Sequence, residues 1–486
     1  MPYDSTGYSI RGSISNLAYL KAEVLLNGGG LPLGYKLNGR LQFSHPERPI
    51  LILGPSRSGK SSSIIIPSIL SNFGPTVSLS TKTDLMQTTA KAKGLVGNVW
   101  CYDPSDSLSI SELESLNVKK VKWSPLDAIS DWESALRVTN LIVGSSMAAG
   151  DINANHWNER AETLIGPLMY AAHLSNRTIK DVVVSILTRD LSWITDTLDQ
   201  FDSDSMAKYV LASIMTTEDR ELSGIFSTAA SMLTVYKSSK TLDNSLNSNF
   251  SPAKFVKSTD TLFICSSGSE QIRTAPLIVT MLDSIRSRAY EKYAHMVTNL
   301  EHEVFSSRRT LFALDELGQS AKMPFLPGMI AEGGGQGITT LACFQDLSQA
   351  VAKYGPIADG FLTLFPTKVI FNGISDKKTV EAISLLAGEH EIERFSYSYD
   401  TRSITLSEKL AFKMFNMKPK SPMKQITKST QTLKTLPPDK VSAGRLNSVL
   451  LVDSAMPPTF LGQNRYFNQE KYLKILDTTN KSEISL

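Results

Sequence analysis

The sequence contains little cysteine, no long apolar run and almost no net charge. Only three of its 486 residues are cysteines, namely Cys101, Cys265 and Cys343. They are far apart and each lies in an apolar stretch, so we expect buried free thiols in a reducing compartment. Their spacing excludes a disulfide framework and shows no pattern of metal ligands.

Long hydrophobic segments are also missing. No uninterrupted apolar run reaches about 18 residues, so the sequence predicts no transmembrane helix. Met1–Ser15 is polar, which argues against a signal peptide. The 50 basic and 47 acidic residues leave a net charge of +3, so any affinity for a polyanion must come from local patches. The length predicts a large core, divided over two domains.

The clearest motif is a glycine-rich loop that follows a short apolar run. Ile50–Leu53 predicts a buried strand, and the residues after it fit G-x-x-x-x-G-K-[ST] at every position. Backbone N–H groups of such a loop surround phosphates. The alternative is a chance match in a Gly/Ser-rich loop, which the flanking strand argues against. The predicted nucleotide-binding residues are Gly54, Pro55, Ser56, Arg57, Ser58, Gly59, Lys60, Ser61 and Ser62.

Two residues of this loop have predicted chemical roles. Lys60 is expected to reach the β- and γ-phosphates, and the Ser61 hydroxyl is expected to ligate Mg²⁺. The sequence therefore predicts ATP and Mg²⁺ as cofactors.

A second strand end supplies the carboxylates that such a site needs. Thr310–Leu314 predicts an apolar strand, and Asp315 and Glu316 follow it. In P-loop NTPases a strand-terminal Asp completes the Mg²⁺ shell, and an adjacent Glu is well placed to polarise the attacking water. We predict Asp315 as a metal ligand and Glu316 as the general base. The alternative is a helix N-cap followed by a surface glutamate.

A third apolar strand, Ile338–Phe344, ends in Gln345. An amide at the tip of a strand beside the P-loop strand can sense the γ-phosphate. Gln345 therefore joins Lys60 and Glu316 as a predicted catalytic residue. The alternative is a polar pair that caps the next helix.

Strand-like and helical stretches alternate on both sides of a helix-rich segment. The alternation predicts an α/β fold with a mostly parallel, doubly wound sheet. Within 127–256 the apolar residues recur at helical spacing, which indicates an inserted all-α domain. The predicted divisions are an N-terminal lead-in at 1–34, a nucleotide-binding domain at 35–126 and 257–486, and the all-α insertion at 127–256.

Residues 400–445 differ in composition from the rest of the chain. Positions 401–445 carry ten basic side chains and two acidic ones, and hydrophobic residues are few. This composition predicts a basic, flexible segment. Two interpretations stay open, a surface that tracks nucleic-acid phosphates and a solvated linker.

The three strand ends and several shorter motifs resemble the VirD4/TraG family of type IV secretion coupling ATPases, which are RecA-like hexameric DNA pumps. The resemblance covers most of residues 35–470. The further motifs that carry it are Trp123-Ser-Pro-Leu-Asp127, Asn155-His-Trp157 with Ala161, Leu314-Asp-Glu-Leu-Gly318 with Pro324-Phe-Leu-Pro327, Gly333-Gly-Gly-Gln-Gly-Ile338, Gln345-Asp-Leu-Ser-Gln349 with Tyr354-Gly355, and Phe371-Asn-Gly-Ile-Ser-Asp376.

The resemblance implies a RecA-like P-loop ATPase that delivers a relaxase–DNA complex or protein substrates to a secretion channel. It implies a homo-hexamer with hydrolysis at the subunit interfaces, and channel subunits as partners. Members usually carry N-terminal transmembrane helices, and none is evident here. We therefore expect a cytoplasmic protein, peripheral at the inner face of the cell membrane. Two alternatives stay open, a chain without a membrane anchor and a chain attached through a membrane subunit.

Two positions depart from the family pattern. Many relatives have an arginine just before the Gly-Ile of the third motif, and this sequence has Gln336 there. A cation that acts across the subunit interface must then come from elsewhere, and Arg48, Arg273 and Arg394 are candidates. The second strand ends in Ser80-Thr-Lys-Thr-Asp84 and not in the family's D-x-K-G-E, so that loop receives no predicted role.

A second class of function stays open from the sequence. The chain could be a scaffold that binds nucleotide to lock a secretion assembly and recruits effectors through its helical domain, without pumping DNA. Nucleotide turnover discriminates between the two. A small-molecule kinase is disfavoured because its acceptor-binding elements are not recognisable.

Overall fold

The computed structural model describes residues 5–146, 152–202, 204–265, 267–298, 309–399, 405–415 and 424–480. Strands and helices alternate along most of these residues. The strands are β1 Pro32–Tyr35, β2 Leu41–Phe43, β3 Ile50–Leu53, β4 Thr76–Ser80, β5 Val99–Tyr102, β6 Lys119–Lys120, β7 Thr261–Cys265, β8 Thr310–Leu314, β9 Ile338–Phe344, β10 Thr367–Ile370, β11 Glu389–Tyr399, β12 Lys424–Lys434, β13 Ser448–Asp453 and β14 Met456–Gly462.

The helices lie on both faces of the sheet and in one long segment of the chain. They are α1 Ser5–Leu26, α2 Ile66–Ser71, α3 Asp84–Lys93, α4 Ile110–Ser115, α5 Trp132–Ser146, α6 Ile152–Leu174, α7 Ile179–Thr188, α8 Ser192–Phe201, α9 Met206–Met215, α10 Asp219–Met232, α11 Ser239–Asn244, α12 Pro252–Phe255, α13 Gly268–Arg273, α14 Ala275–Thr298, α15 Leu326–Glu332, α16 Leu347–Tyr354, α17 Phe361–Leu364, α18 Lys377–Leu386, α19 Leu406–Met414, α20 Pro438–Ala443 and α21 Glu470–Asn480.

Twelve strands form one sheet in the order β2-β1-β14-β13-β10-β3-β9-β8-β4-β7-β5-β6. The eight strands from β10 to β6 are parallel, and β13, β14, β1 and β2 extend the sheet as antiparallel neighbours. Every residue of β3, β4, β7, β8 and β9 is buried. Apolar runs without polar alternation suit strands covered on both faces, and the α/β class predicted from the sequence is confirmed.

Successive side chains of the P-loop strand enter different cores. Ile50 and Ile52 pack into one hydrophobic core, while Leu51 and Leu53 pack into the other. This follows from the two-residue period of a strand, which sends neighbouring side chains to opposite faces. The second of these cores continues into the helical segment, so sheet and helices are packed together.

The described residues between β6 and β7 contain helices and no strand. This segment packs against the sheet's own helices through α14, where Asp283 is buried. The Asp283 carboxylate accepts a 2.6 Å hydrogen bond from Arg286 and lies 3.7 Å from Arg137 of α5. The helical content agrees with an all-α insertion, and its predicted boundaries at 127 and 256 stay a prediction.

The predicted lead-in and the chain's last helix pack on each other. On α1, Leu17 and Leu20 are buried, and Glu23 accepts a 2.8 Å hydrogen bond from Lys471 of α21. The described part of the predicted lead-in thus contains α1, which packs on α21, and the start of β1, which belongs to the twelve-stranded sheet.

The basic segment at 400–445 contains regular structure where the sequence indicated a flexible loop. β12 pairs with β11 as a two-stranded antiparallel ribbon, in register from Glu389↔Lys434 to Tyr399↔Lys424. α19 lies between the two strands in the chain and has no buried residue. The segment contains few hydrophobic residues because its ribbon is exposed. Backbone hydrogen bonds can pair two strands without an apolar core. Residues 400–404 and 416–423 lie outside the described residues.

Candidate functional site

The carboxyl ends of four neighbouring strands form one edge of the sheet, and the predicted site residues follow these ends. β9 lies between β3 and β8, and β4 lies on the far side of β8. The predicted place of Gln345, at the tip of a strand beside the P-loop strand, is confirmed by the β3–β9 pairing. The chemical roles assigned to the site residues stay predictions.

The glycine-rich loop turns sharply between β3 and the following helix. Arg57 and Gly59 both have left-handed backbone conformations, with φ of 63° and 98°. Gly54 lies against Phe371, the residue after β10, because a Cβ built on Gly54 would be 2.6 Å from the Phe371 Cβ. Only glycine permits this approach. A π-helical turn at Ser61–Ile65 then leads into α2.

Lys60 is held inside the loop. Its Nζ donates hydrogen bonds to the carbonyl oxygens of Gly54 at 2.6 Å and Pro55 at 2.9 Å. Burial lowers the pKa of the Lys60 ammonium, while the neighbouring Asp315 and Glu316 carboxylates oppose that shift. The amine is therefore enclosed by the loop, and phosphate oxygens would be able to take the place of its two carbonyl partners.

Ser61 and Asp315 meet across the site although they lie on different strands' loops. The Ser61 Oγ donates to the Asp315 Oδ2 at 3.1 Å. Burial raises the pKa of Asp315 to about 6, and the Glu316 charge adds to this rise. A hydroxyl and a carboxylate oxygen so close together are ligands that suit Mg²⁺, which prefers oxygen donors and substrate phosphates. The residues present therefore fit the predicted metal.

Glu316 points toward the loop that follows β4. Its Oε1 accepts a 2.8 Å hydrogen bond from the Lys82 Nζ, and its Oε2 accepts one from the Thr81 hydroxyl. Burial alone would raise the pKa of Glu316, but the hydrogen bonds from Lys82 and Thr81 outweigh it, so the pKa lies below its usual value. The loop after β4, for which no role was predicted, therefore contacts the candidate general base through Thr81 and Lys82.

Gln345 contacts the glycine-rich loop directly. Its Nε2 donates to the Ser56 Oγ at 3.1 Å, and its backbone N–H donates to the Gln349 Oε1 at 3.1 Å. The Gln349 side chain in turn lies against Gly318, where a Cβ would approach its Oε1 to 2.3 Å. The segment after β8 and the start of α16 are thus packed together beside the loop.

Lys353 is a further residue near the site that sequence reasoning missed. Its Nζ donates to the Leu317 carbonyl at 2.6 Å and also to the Ser320 carbonyl. Burial lowers the pKa of Lys353 to about 8. This lysine joins α16 to the turn that follows Asp315 and Glu316. A lone lysine in an amphipathic helix gives no sequence signal for such a contact.

The three arginine candidates differ in their surroundings. Arg48 is paired with Asp453 at 2.9 Å and Arg273 with Glu270 at 2.6 Å, so each is engaged by a carboxylate of the same chain. Arg394 is exposed on β11.

The motif Phe371–Asp376 has a structural explanation beside the loop. Phe371 packs on Gly54, and a Cβ on Gly373 would lie 3.3 Å from Pro55. Asp376 caps α18 by accepting a 2.8 Å hydrogen bond from the Thr379 N–H. These residues support the glycine-rich loop from the β10 side.

The fold and the site define a class of protein. A strand that ends in Gln345 lies between the P-loop strand and the strand that ends in Asp315 and Glu316, all within a mostly parallel sheet. This arrangement, with its helical segment, is that of a RecA-like P-loop NTPase. Among the described residues, no helix combines the length and the apolar character needed to cross a bilayer.

Comparison with known proteins identifies the family. The profile of the family "Type IV secretory system Conjugative DNA transfer" matches residues 16–484, and the chain belongs to this family. The resemblance drawn from the sequence motifs is thereby confirmed. Two Escherichia coli proteins named "Conjugal transfer protein TraG" are each 24% identical over 339 residues, which is 64% of this chain and 50% of theirs. The chain thus spans about half the length of these relatives.

Solved structures of a plasmid coupling protein share the fold. The unbound form of the bacterial conjugative coupling protein TrwBdeltaN70 matches with a TM-score of 0.63 and 17% identity, over 89% of this chain and 88% of its own. TrwB in complex with ADP and Mg²⁺ matches with a TM-score of 0.62 and 16% identity, over 89% of each chain. At this identity the likeness establishes the fold alone.

Proposed function

We propose that this chain is an ATP-hydrolysing coupling protein that delivers DNA, as a relaxase–DNA complex, or protein substrates to a type IV secretion channel. The observation that carries the proposal is the convergence of Lys60, Ser61, Asp315 and Gln345 on one glycine-rich loop, in a member of the conjugative DNA transfer family. The TrwB complexes with ADP and Mg²⁺ and with an ATP analogue support nucleotide binding by such a fold.

Each residue has a defined task in this proposal. The loop's N–H groups and Lys60 bind the phosphates, and Ser61 with Asp315 would hold Mg²⁺. The metal supplies charge neutralisation at the β- and γ-phosphates. Glu316 accepts a proton from water as the water oxygen bonds to the γ-phosphorus. The bond between that phosphorus and the bridging oxygen breaks, which leaves ADP and inorganic phosphate. Gln345 contacts the γ-phosphate, and its backbone hydrogen bond to Gln349 couples this contact to the position of α16.

The active form in this proposal is a homo-hexamer. A γ-phosphate at a subunit interface gains charge stabilisation from a neighbour's arginine. Arg48 and Arg273 are already engaged by carboxylates, whereas Arg394 lies exposed on the ribbon. Arg394 is therefore the candidate that a neighbouring subunit can use without breaking an ion pair described here.

The experiment that tests the proposal measures ATPase rate and sedimentation together, with and without single- or double-stranded DNA. We expect turnover to rise with oligomerisation and with DNA, and the DNA effect to fall as salt increases, since phosphate contacts release counterions. Absence of DNA stimulation at low salt would remove the DNA form of the proposal. Protein cargo would then be tested by the same measurements.

One observation favours a second candidate, a nucleotide-binding scaffold without pumping. Both carboxylate oxygens of Glu316 are engaged by Lys82 and Thr81, so the general base is occupied. A scaffold needs bound nucleotide and no turnover. If the wild-type protein binds ATP and hydrolyses none of it in any oligomeric state, the scaffold is the better description.

A further inference from the structure

The two carboxylates after β8 are turned in different directions. Asp315 is oriented toward the glycine-rich loop, where it accepts a hydrogen bond from Ser61 at 3.1 Å. Glu316 is bound instead by Lys82 at 2.8 Å and by Thr81. The metal-binding half of the site is thus assembled, while the water-activating half is engaged elsewhere.

The strand order shows why the different directions of Asp315 and Glu316 matter for hydrolysis. The glycine-rich loop follows β3, which lies on one side of β8, while Thr81 and Lys82 follow β4 on the other side. A carboxylate bonded to the β4 loop is drawn toward the β4 side of β8, although Glu316 still interacts electrostatically with Lys60 of the glycine-rich loop. A general base must come within about 2.6–3.2 Å of the proton that it removes. The hydrogen bonds from Lys82 and Thr81 therefore compete with the contact that Glu316 would make with water as general base.

The β4 loop is itself fixed in place. The Ser80 carbonyl accepts a 2.7 Å hydrogen bond from the buried Gln271, and the Lys82 N–H donates to the Ser80 Oγ at 3.2 Å. Glu316 has a left-handed backbone conformation with φ of 49°, which is uncommon outside glycine. A strained residue in a functional segment is held there by its contacts. Lys82 and Thr81 supply such contacts for Glu316.

We propose that Lys82 is a positioning residue that, together with Thr81, holds Glu316 in an orientation that slows ATP hydrolysis. The proposal rests on the ATPase function proposed above. It adds a restraint that lowers the rate of hydrolysis in the resting protein. The Lys82 side chain is 64% exposed and that of Glu316 is 18% exposed. Because ion pairs with one exposed partner contribute modestly, the restraint slows turnover without abolishing it.

The test compares Lys82→Met with the wild type under steady-state conditions without DNA. We expect kcat to rise about threefold to fivefold, which is the scale of a partly exposed ion pair. We expect KM for ATP to stay within about twofold, since no loop contact to nucleotide is removed. Lys82→Arg keeps the pairing and should keep the wild-type rate. Thr81→Val should raise kcat by a smaller factor.

Two controls separate this restraint from a general loss of structure. Lys180→Met removes an exposed lysine on α7 and should leave kcat unchanged. The double variant Lys82→Met/Glu316→Gln should be as inactive as Glu316→Gln alone, because the effect of Lys82 acts through Glu316. A Lys82→Met rate above that of the wild type, restored by arginine, supports the proposal.

The outcomes distinguish the restraint from the ATPase function. If the wild type hydrolyses ATP and Lys82→Met is unchanged or slower, the restraint is wrong and the ATPase function stands. If neither protein hydrolyses ATP, both proposals fail. If only Lys82→Met hydrolyses ATP, the ATPase function is supported and a restraint that merely slows turnover is wrong.

Discussion

The nucleotide-binding edge of the sheet and the β11–β12 ribbon are built in opposite ways. Every residue of β3, β8 and β9 is buried, and the loops that follow them are joined by hydrogen bonds. The helix between the ribbon strands has no buried residue. A two-stranded ribbon is marginally stable on its own, whereas packed strands hold side chains in fixed positions. The packed edge therefore fixes the positions of the candidate site residues, and the ribbon offers exposed charge.

The largest expected effect is at the packed edge. Lys60→Ala should weaken binding of a fluorescent ATP analogue on the order of 100-fold, since a lysine that binds two phosphates contributes charge-assisted hydrogen bonds. The measurement is equilibrium titration by fluorescence. Lys180→Ala, on the exposed surface of α7, is the matched control and should bind normally. Wild-type affinity in Lys60→Ala would contradict the assigned phosphate site.

The next effect separates binding from chemistry within the same edge. Glu316→Gln should lower kcat on the order of 100-fold while nucleotide affinity stays within about twofold, because a general base contributes to the chemical step. Glu114→Gln, an exposed position after β5, should have the wild-type rate. A comparable loss in both variants would show that the loss does not arise at the site.

The pH dependence of magnesium binding is a smaller effect. The pKa of Asp315 is raised to about 6, so this carboxyl is neutral below that pH and a charged ligand above it. Mg²⁺ should strengthen ADP binding at pH 7.5 and have little effect at pH 5, as measured by calorimetry with and without the metal. Asp315→Asn should remove the Mg²⁺ effect at both pH values. A Mg²⁺ effect that stays at pH 5 would contradict the assignment.

The Asp315 carboxyl also predicts how the stability of the folded protein changes with pH. A rise in pH favours Mg²⁺ binding but lowers this stability. Its pKa in the folded protein lies above the usual value, so its contribution to stability is present at low pH and is lost as the pH rises through about 6. We therefore expect that, without Mg²⁺, the change in the free energy of unfolding caused by Asp315→Asn is more stabilising at pH 7.5 than at pH 5. Urea denaturation at the two pH values measures the difference.

The smallest effect on the protein itself is expected at the ribbon. Replacing Lys428 of the ribbon, and Lys409 and Lys413 of α19 between its two strands, by alanine should change the free energy of unfolding by no more than about 0.5 kcal/mol each and leave basal ATPase activity unchanged. If DNA contacts the ribbon, the slope of log affinity against log salt should become shallower by up to about three units. A set of exposed lysines away from the ribbon serves as the control. These are Lys180, Lys254 and Lys378.

Two outcomes would contradict the separate roles of the packed edge and the ribbon. A fall in basal ATPase activity in the ribbon variant would mean that the ribbon contributes to the site, for example through a neighbouring subunit. An unchanged salt slope would remove the ribbon from the DNA-binding surface.

Much of the packed edge could be predicted from the sequence because its signals are local. Ile338–Phe344 was predicted as a strand and is one, and the glycine-rich loop follows Ile50–Leu53 as expected. The ribbon could not be predicted in this way. β12 has no apolar alternation, and in β11 the alternation is limited to Phe395, Tyr397 and Tyr399, so no long pattern marks the two strands.

The loop after β4 was missed for a different reason. Its sequence, Ser80–Asp84, departs from the family motif and has no pattern of its own. Lys82 and Glu316 are 234 positions apart in the chain. Nothing in either segment reveals that β4 and β8 are neighbours in the sheet.

The glycine-rich loop, the strand ends that carry Asp315, Glu316 and Gln345, and the resemblance to the family could all be read from the sequence. These are contiguous patterns whose chemistry and periodicity can be read within a few residues. Only the tertiary structure decided that Ser61 meets Asp315, that Lys82 engages Glu316, and that the basic segment forms a ribbon. The physical reason is that strand order and side-chain direction result from packing over the whole chain, which local patterns do not specify.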